Sequence, residues 1–225
     1  MQHPQIRLYN LKKSFNGREP LYQKLNYSIH EGDFVFLTGV SGAGKTTLFR
    51  LMMGLEKPTR GEVHYKGFII HKLSGRARSK HRRKFGVIFQ DYKLLEDKTA
   101  RQNIRLPLLI KGMSIKRADK TLNAMAERLK ITHLLGRKAM SLSGGEKQLV
   151  AIARAAVHKP EVILADEPTA NLHEEMSQQI MEILQDLNKD GITILWATHN
   201  LSLIQANPKK TLLLKEQSIF EVRSR

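Results

Sequence analysis

The residues best placed to do chemistry are Gly39-Val40-Ser41-Gly42-Ala43-Gly44-Lys45-Thr46, a G-x-x-x-x-G-K-[ST] pattern between the apolar run FVFLT and the helical run TTLFRLMMG. Strand, glycine-rich turn and helix start in that order make a phosphate cradle, because the glycines let backbone N–H groups and a positive helix end point at one anion. Lys45 is spaced to reach β and γ phosphate oxygens and Thr46 to ligate Mg²⁺, while Ser41, Ala43 and Thr47 complete the set expected around the nucleotide. Without this flanking context the pattern would be only a glycine-rich turn.

Splitting a triphosphate also takes a carboxylate for the metal and a base for water. The apolar run VILA ends in Asp166, and Glu167 follows it. Successive residues at a strand end point in different directions, so Asp166 can face Mg²⁺ while Glu167 addresses the water attacking the γ-phosphate. Alone, an Asp-Glu pair after a strand is usually a solvated strand end; the upstream phosphate loop gives it a partner. Gln90 after GVIF and His199 after TILWAT emerge where a sheet edge should meet the γ-phosphate, whereas the other eight histidines read as surface or satisfied core. The expected catalytic set is therefore Glu167, His199 and Gln90, and the expected metal set is Thr46, Gln90 and Asp166.

A further group, Leu142-Ser143-Gly144-Gly145-Glu146, stands before KQLVAIARAAV, and Ser143 with Glu146 reads as a capping box. A bare helix start needs only the cap, so the glycines look surplus to structure and point to a second phosphate-binding surface of hydroxyl and open N–H groups. Two γ-phosphate clamps on one chain imply a two-fold homodimer with ATP at its interface.

Short apolar runs must position these residues. We read strands at Ile6–Leu11, Leu25–Ile29, Phe34–Thr38, Glu62–Tyr65, Phe68–Ile70, Gly86–Phe89, Val162–Ala165, Ile192–Ala197, Thr211–Leu214 and Ser218–Val222, alternating with helical segments. That alternation predicts an α/β fold with a largely parallel sheet and antiparallel polar edges. Residues 162–165 and 193–197 are nearly continuous apolar runs, as buried central strands require. From about 91 to 159 the period is helical, with Thr99 and Gln102 spaced as a capping box and Leu106, Leu109 and Ile110 on one face. A helix from about Glu174 to Asn188 is expected to bury Met176, Ile180, Ile183, Leu184 and Leu187. The whole of 1–225 reads as one ATP-binding domain with a helical subdomain at about 91–159.

Composition narrows the partners. With no cysteine there is no disulfide framework, thiolate nucleophile or Cys-ligated metal. Lys and Arg number 38 against 21 Asp and Glu, a formal charge of +17 that calls for a polyanionic partner: nucleotide, nucleic acid or anionic membrane. No apolar run is long enough to span a bilayer, and the first residues lack the layout of a signal peptide, so the chain is expected to stay on the side where it was made.

Taken in order, GVSGAGKTT, Gln90, LSGGE, ILADEPT and His199 resemble the nucleotide-binding subunit of an ABC transporter over essentially the whole chain. Within that family FVFLTGVSGAGKTTL, GVIFQDYKLLEDKTARQNI and ADEPTANL are most similar to the cell-division branch, with lipoprotein-release and MacB-type ATPases as near relatives. The resemblance implies a P-loop ABC ATPase core with an antiparallel β subdomain and a helical subdomain. It implies that Phe15 stacks on adenine, Glu167 is the general base, His199 senses the γ-phosphate, and Gln90 links nucleotide to a membrane partner. Ser143, Gly144 and Gly145 are implied to act on the opposite subunit's ATP. The implied partner is an integral membrane protein resembling FtsX, and the implied place is peripheral, on the cytoplasmic side of the bacterial inner membrane. The chain departs from the family pattern at His173 (usually Asp), Lys147 and Leu149 (usually Gln and Arg) and Asn200 (usually Asp).

Two other classes compete. Nucleic-acid-handling relatives suit the charge, but they insert a long coiled coil or carry two cassettes, and Lys45 and Asp166 stand only 121 residues apart (166 − 45) with no heptads between. A plain small-molecule kinase leaves LSGGE without a role. The densest basic run, RARSKHRRK at 76–84, has no interleaved aromatics, which argues for a solvated face or an anionic lipid surface rather than base stacking.

Overall fold

A computed structural model describes residues 4–15 and 19–222. In chain order the elements are β1 (Ile6–Lys13), β2 (Tyr22–Ile29), β3 (Phe34–Thr38), α1 (Lys45–Met52), β4 (Arg60–Tyr65), β5 (Phe68–Ile69), α2 (Gly75–Arg82) and β6 (Phe85–Ile88). They continue as α3 (Ala100–Ile110), α4 (Ile115–Arg128), α5 (Gly144–Ala156), β7 (Val162–Asp166), α6 (Glu174–Lys189), β8 (Thr193–Ala197), α7 (Leu201–Ala206), β9 (Lys210–Lys215) and β10 (Ser218–Val222). These group into two compact units, one drawn from Met1–Lys84 with Thr193–Arg225, the other from Phe85–Ile192.

In the first unit β3 lies parallel to both β8 and β9, and β10 closes the edge antiparallel to β9. Every residue of β3 and β8 is buried, as their unbroken apolar sequences require. Phe34 and Phe36, on one face of β3, meet Trp196 of β8 with ring centroids 6.4 and 5.8 Å away, a tilted and an edge-on contact that pins the two strands together. A second sheet in the order β2-β1-β4-β5 is antiparallel throughout. Helix α1 buries Leu48, Phe49, Leu51 and Met52.

In the second unit β6 and β7 are parallel, with Ile88 opposite Ala165. Helix α5 packs against β6 so closely that a Cβ on Gly86 would stand 2.3 Å from the Ala155 carbonyl oxygen; only glycine allows the approach. Both capping boxes form, Thr99 with Gln102 on α3 and Ser143 with Glu146 on α5. One expected face is corrected. Helix α6 buries Met181 with Ile180, Leu184 and Leu187, while Met176 and Ile183 sit at its margins. Helix α3 turns Ala100, Asn103, Ile104 and Leu108 inward and leaves Leu106, Leu109 and Ile110 on the surface. Asn103 takes an inward place because its amide bonds the backbone of Leu95 and Thr99, which satisfies a buried polar group locally.

Candidate functional site

In the first unit the chain leaves β3 at Thr38 and reverses through Gly39, Gly42 and Gly44, with φ of 150°, 80° and 98°. A Cβ at Gly39 would come within 2.6 Å of the Leu214 carbonyl oxygen, so the loop's first residue admits no side chain. Gly44 caps α1 and its carbonyl accepts the Leu48 N–H at 2.9 Å, the first helical bond. The same oxygen accepts the hydroxyl of Tyr22, a fully buried residue of β2 whose ring fills the space a Gly44 side chain would need. Burial raises the Tyr22 pKa far above the ordinary phenol range, so the hydroxyl remains a donor. The Lys45 ammonium lies over the loop, donating to Gly39 O at 2.8 Å and to Val40 O at 3.4 Å. Ser41, Gly42 and Thr46 are exposed, and Ala43 and Thr47 are partly so. A ring of backbone N–H groups, one ammonium and hydroxyls is thus gathered at a helix start, the constitution of a polyphosphate site.

The end of β8 is brought to the same loop. Leu37 and Ala197 are paired in register, so Gly39 and His199 leave the sheet two residues later at one edge. Thr198 N–H bonds Leu37 O at 3.0 Å, Thr198 Oγ1 accepts from Asn200 N at 3.1 Å, and Asn200 Oδ1 caps α7 through Leu203 N at 2.9 Å. His199 is held between these ties, and Asn200 supplies the cap that an Asp would. A cavity of about 540 Å³ has Thr38, Gly39, Val40, His199 and Leu201 in its wall, so the histidine and the loop share one recess. Phe15 lies 40% exposed, with the Lys13 ammonium 4.3 Å from its ring centroid and Ser14 tied to Thr59. Its ring offers an aromatic face.

The second unit carries the other set. Gln90 and Asp166 leave the paired strands β6 and β7 at their shared carboxyl edge, Gln90 two residues after Ile88 and Asp166 one after Ala165. Glu167 holds a left-handed conformation, φ 48°, uncommon for a residue with a side chain and concentrated at functional sites. At the start of α5, Ser143 Oγ accepts from Glu146 N while Glu146 Oε2 accepts from Ser143 N at 2.7 Å, and Arg137 reaches Glu146 Oε1 at 2.7 Å. The Ser143 N–H, with Arg137, holds the Glu146 carboxyl below its usual pKa.

Space around the glycines is limited but soft: a Cβ on Gly145 would stand 2.8 Å from Met176 Cε, the far end of a flexible side chain, and one on Gly144 3.2 Å from Tyr92 Oη. Packing alone does not require glycine at either position. The departures also find places. Leu149 is buried in α5, where a cation would be costly; Lys147 reaches Glu96 at 3.4 Å; His173 stands at the N-cap of α6 without a side-chain cap bond. Leu94 is buried, and its neighbour Leu95 is on the surface. Sequence reasoning missed Tyr22 and Arg154, whose partners are remote in the chain.

The ABC transporter family model matches residues 22–170. The cell division ATP-binding protein FtsE of Haemophilus influenzae is 42% identical over 212 residues, spanning 94% of this chain and 97% of that protein. A solved dimer of the bacterial ABC transporter cassette MJ0796 is 34% identical and superposes with a TM-score of 0.88, covering 98% of this chain and 99% of that one. A second dimeric MJ0796 structure, a post-hydrolysis state bound to ADP and Pi, is 33% identical with the same TM-score and the same coverage.

Proposed function

The chain belongs to the ABC transporter family of ATP-binding proteins and is an ATPase, and from that premise we propose that it works as a homodimer beneath an integral membrane protein resembling FtsX, in bacterial cell division and cell-wall remodelling. The observation that supports the dimer is the second glycine-bearing helix start at Ser143–Gly145, additional to the Lys45 loop, together with the dimeric state of the similar cassette. In this reading ATP binds the Gly39–Thr47 loop through backbone N–H groups and Lys45, with adenine stacked on Phe15. Ser143, Gly144 and Gly145 complete the γ-phosphate shell of the other copy.

Among the described residues no group of three or more His, Asp or Glu forms a metal cage. Thr46, Gln90 and Asp166 instead offer hard oxygen donors with a single carboxylate, which fits Mg²⁺, an ion that keeps several waters and takes oxygens from phosphate. Bound there, Mg²⁺ would neutralise charge developing on the transferred phosphoryl group. Glu167 accepts the proton of the attacking water, His199 donates to the γ-phosphate, and Gln90 registers its presence.

Among the described residues no helix is long and apolar enough to cross a membrane, so the chain's movement reaches a membrane through a partner. The exposed Leu106, Leu109 and Ile110 of α3, with Leu95 nearby in sequence, suit an apolar helix of such a partner, and in this reading the chain works on the cytoplasmic side of the inner membrane. On α2, Arg76 and Lys80 are exposed one turn apart and suit anionic lipid. The test is pull-down from detergent-solubilised membranes with Leu109→Asp and Ile110→Asp together. Loss of the FtsX-like partner with nucleotide binding retained is expected. Undiminished recovery would overturn the docking surface, and recovery of a lipoprotein-release or MacB-type permease would overturn the division assignment.

A further inference from the structure

The segment after Gln90 has an unusual backbone. Tyr92 and Lys93 both lie in the left-handed region, with φ of 59° and 48°, and neither is glycine. Left-handed residues with side chains persist only where surroundings over-determine them. Tyr92 N bonds Phe89 O at 3.0 Å and Lys93 N bonds Asp91 O at 2.6 Å, and one remote side chain holds both of their carbonyls. Arg154, from the last turn of α5, donates through one terminal nitrogen to Tyr92 O at 2.6 Å and through the other to Lys93 O at 2.5 Å. The guanidinium fork suits two adjacent carbonyls turned the same way, which is what consecutive left-handed residues present. Among the described residues it has no carboxylate partner, and burial depresses its pKa from the usual arginine value. Arg154 is half-buried, and its fork is taken up by two neutral carbonyls.

The other end of the same helix holds the same segment. Tyr92 Oη lies against Gly144, in the first turn of α5. Residues 144 and 154 are separated by about 15 Å of helix rise, so Tyr92 reaches both ends of α5, with its hydroxyl near the first turn and its carbonyl bonded at the last. Downstream, Glu96 pairs with Lys147 on α5 at 3.4 Å, and its carbonyl accepts from Met140 N at 3.2 Å. The segment is therefore a strap bound lengthwise to the helix that begins with Ser143–Gly145, and its root is Gln90.

We infer that Arg154 is a positioning residue that locks the strap following Gln90 to helix α5, so that a displacement of Gln90 by nucleotide is delivered to the Ser143–Gly145 helix start. Arg154 touches neither nucleotide nor water in this scheme. Its removal leaves the Lys45 loop intact, so ATP affinity is retained, while the two γ-phosphate elements of the second unit no longer move as one. The inference rests on the proposed role of Gln90, and the experiment separates the two.

ATP turnover and nucleotide affinity are measured for the full chain and for Arg154→Gln, Gln90→Ala and the double variant. Arg154→Gln should lower kcat by about tenfold, within the usual span of coupling between sites, with nucleotide affinity changed less than about twofold. Gln90→Ala should lower kcat as well, and the double variant should be little worse than the poorer single one, since residues acting in series are not additive. Arg154→Lys, which keeps a cation but loses the fork, should recover only part of the rate, and Arg154→Met, of similar length without donors, replaces Arg154→Gln should that chain melt early. Multiplicative losses in the double variant, or an Arg154→Gln chain with unchanged kcat, would overturn the inference. An unaffected Gln90→Ala chain would instead remove the sensor role on which it stands.

Discussion

Replacing Tyr22 by Phe deletes one hydroxyl and keeps the ring that fills the space above Gly44. The hydroxyl donates to Gly44 O, which also accepts Leu48 N–H at 2.9 Å, so the carbonyl is not orphaned when the phenol is lost. The cost is that of one buried neutral hydrogen bond, about 1 kcal/mol net. For a chain of this size that is a fall in melting temperature of roughly 2–4 °C. The bond also fixes the residue preceding Lys45. If the whole 1 kcal/mol were charged to loop geometry, ATP affinity would fall by about fivefold. Tyr22→Leu also removes the ring from a fully buried position and should cost roughly 2–5 kcal/mol, as large-to-small core changes do. Thermal melting and titration with a fluorescent ATP analogue read both effects. Parent-like melting and affinity in the Tyr22→Phe chain would refute the claim that the hydroxyl holds the loop.

Lys45→Ala should weaken ATP analogue binding by about tenfold or more while the backbone cradle persists, because a charge-assisted contact is lost; equilibrium titration checks it. Glu167→Gln should bind ATP and abolish most turnover, accumulating dimer on size-exclusion chromatography, since an amide keeps the shape and cannot take a proton. Arg76→Gln with Lys80→Gln should reduce binding to anionic vesicles, more so at low salt, and leave ATP turnover unchanged; vesicle co-sedimentation at two ionic strengths decides. Burial, reinforced by the nearby Lys111 charge, depresses the His158 pKa from 6.5 to about 4. Between those values the unfolded chain binds the extra proton, so this contribution is complete above pH 6.5 and is lost as pH falls towards 4, by up to about 3 kcal/mol. His158→Leu should therefore flatten the melting temperature measured between pH 7.5 and 4.5.

The phosphate loop was legible because its determinants are local: glycines that permit positive φ, a strand before them and a helix after, all within some fifteen residues. Both capping boxes were legible for the same reason, each being a contact across three residues. Strands β3, β7 and β8 could be read from unbroken apolar runs, since burial on both faces is a composition before it is a structure. Periodicity settles that α3 and α6 are helices and not which apolar residue faces inward, so Met181 took a place expected of Ile183, and Leu94 is buried where Leu95 is not.

By itself the sequence determined the phosphate loop, the helix starts, the strand set and the polar residues at strand ends, because each follows from chain neighbours and a fixed backbone geometry. Only the tertiary structure decided that Tyr22 braces Gly44 across 22 positions, that Arg154 clamps Tyr92 across 62, and that Gly86 is pressed against the Ala155 carbonyl. Such pairings depend on which surfaces the folded layers bring within hydrogen-bonding or van der Waals range, and residue type at either position says nothing of the other until the chain between them has been placed.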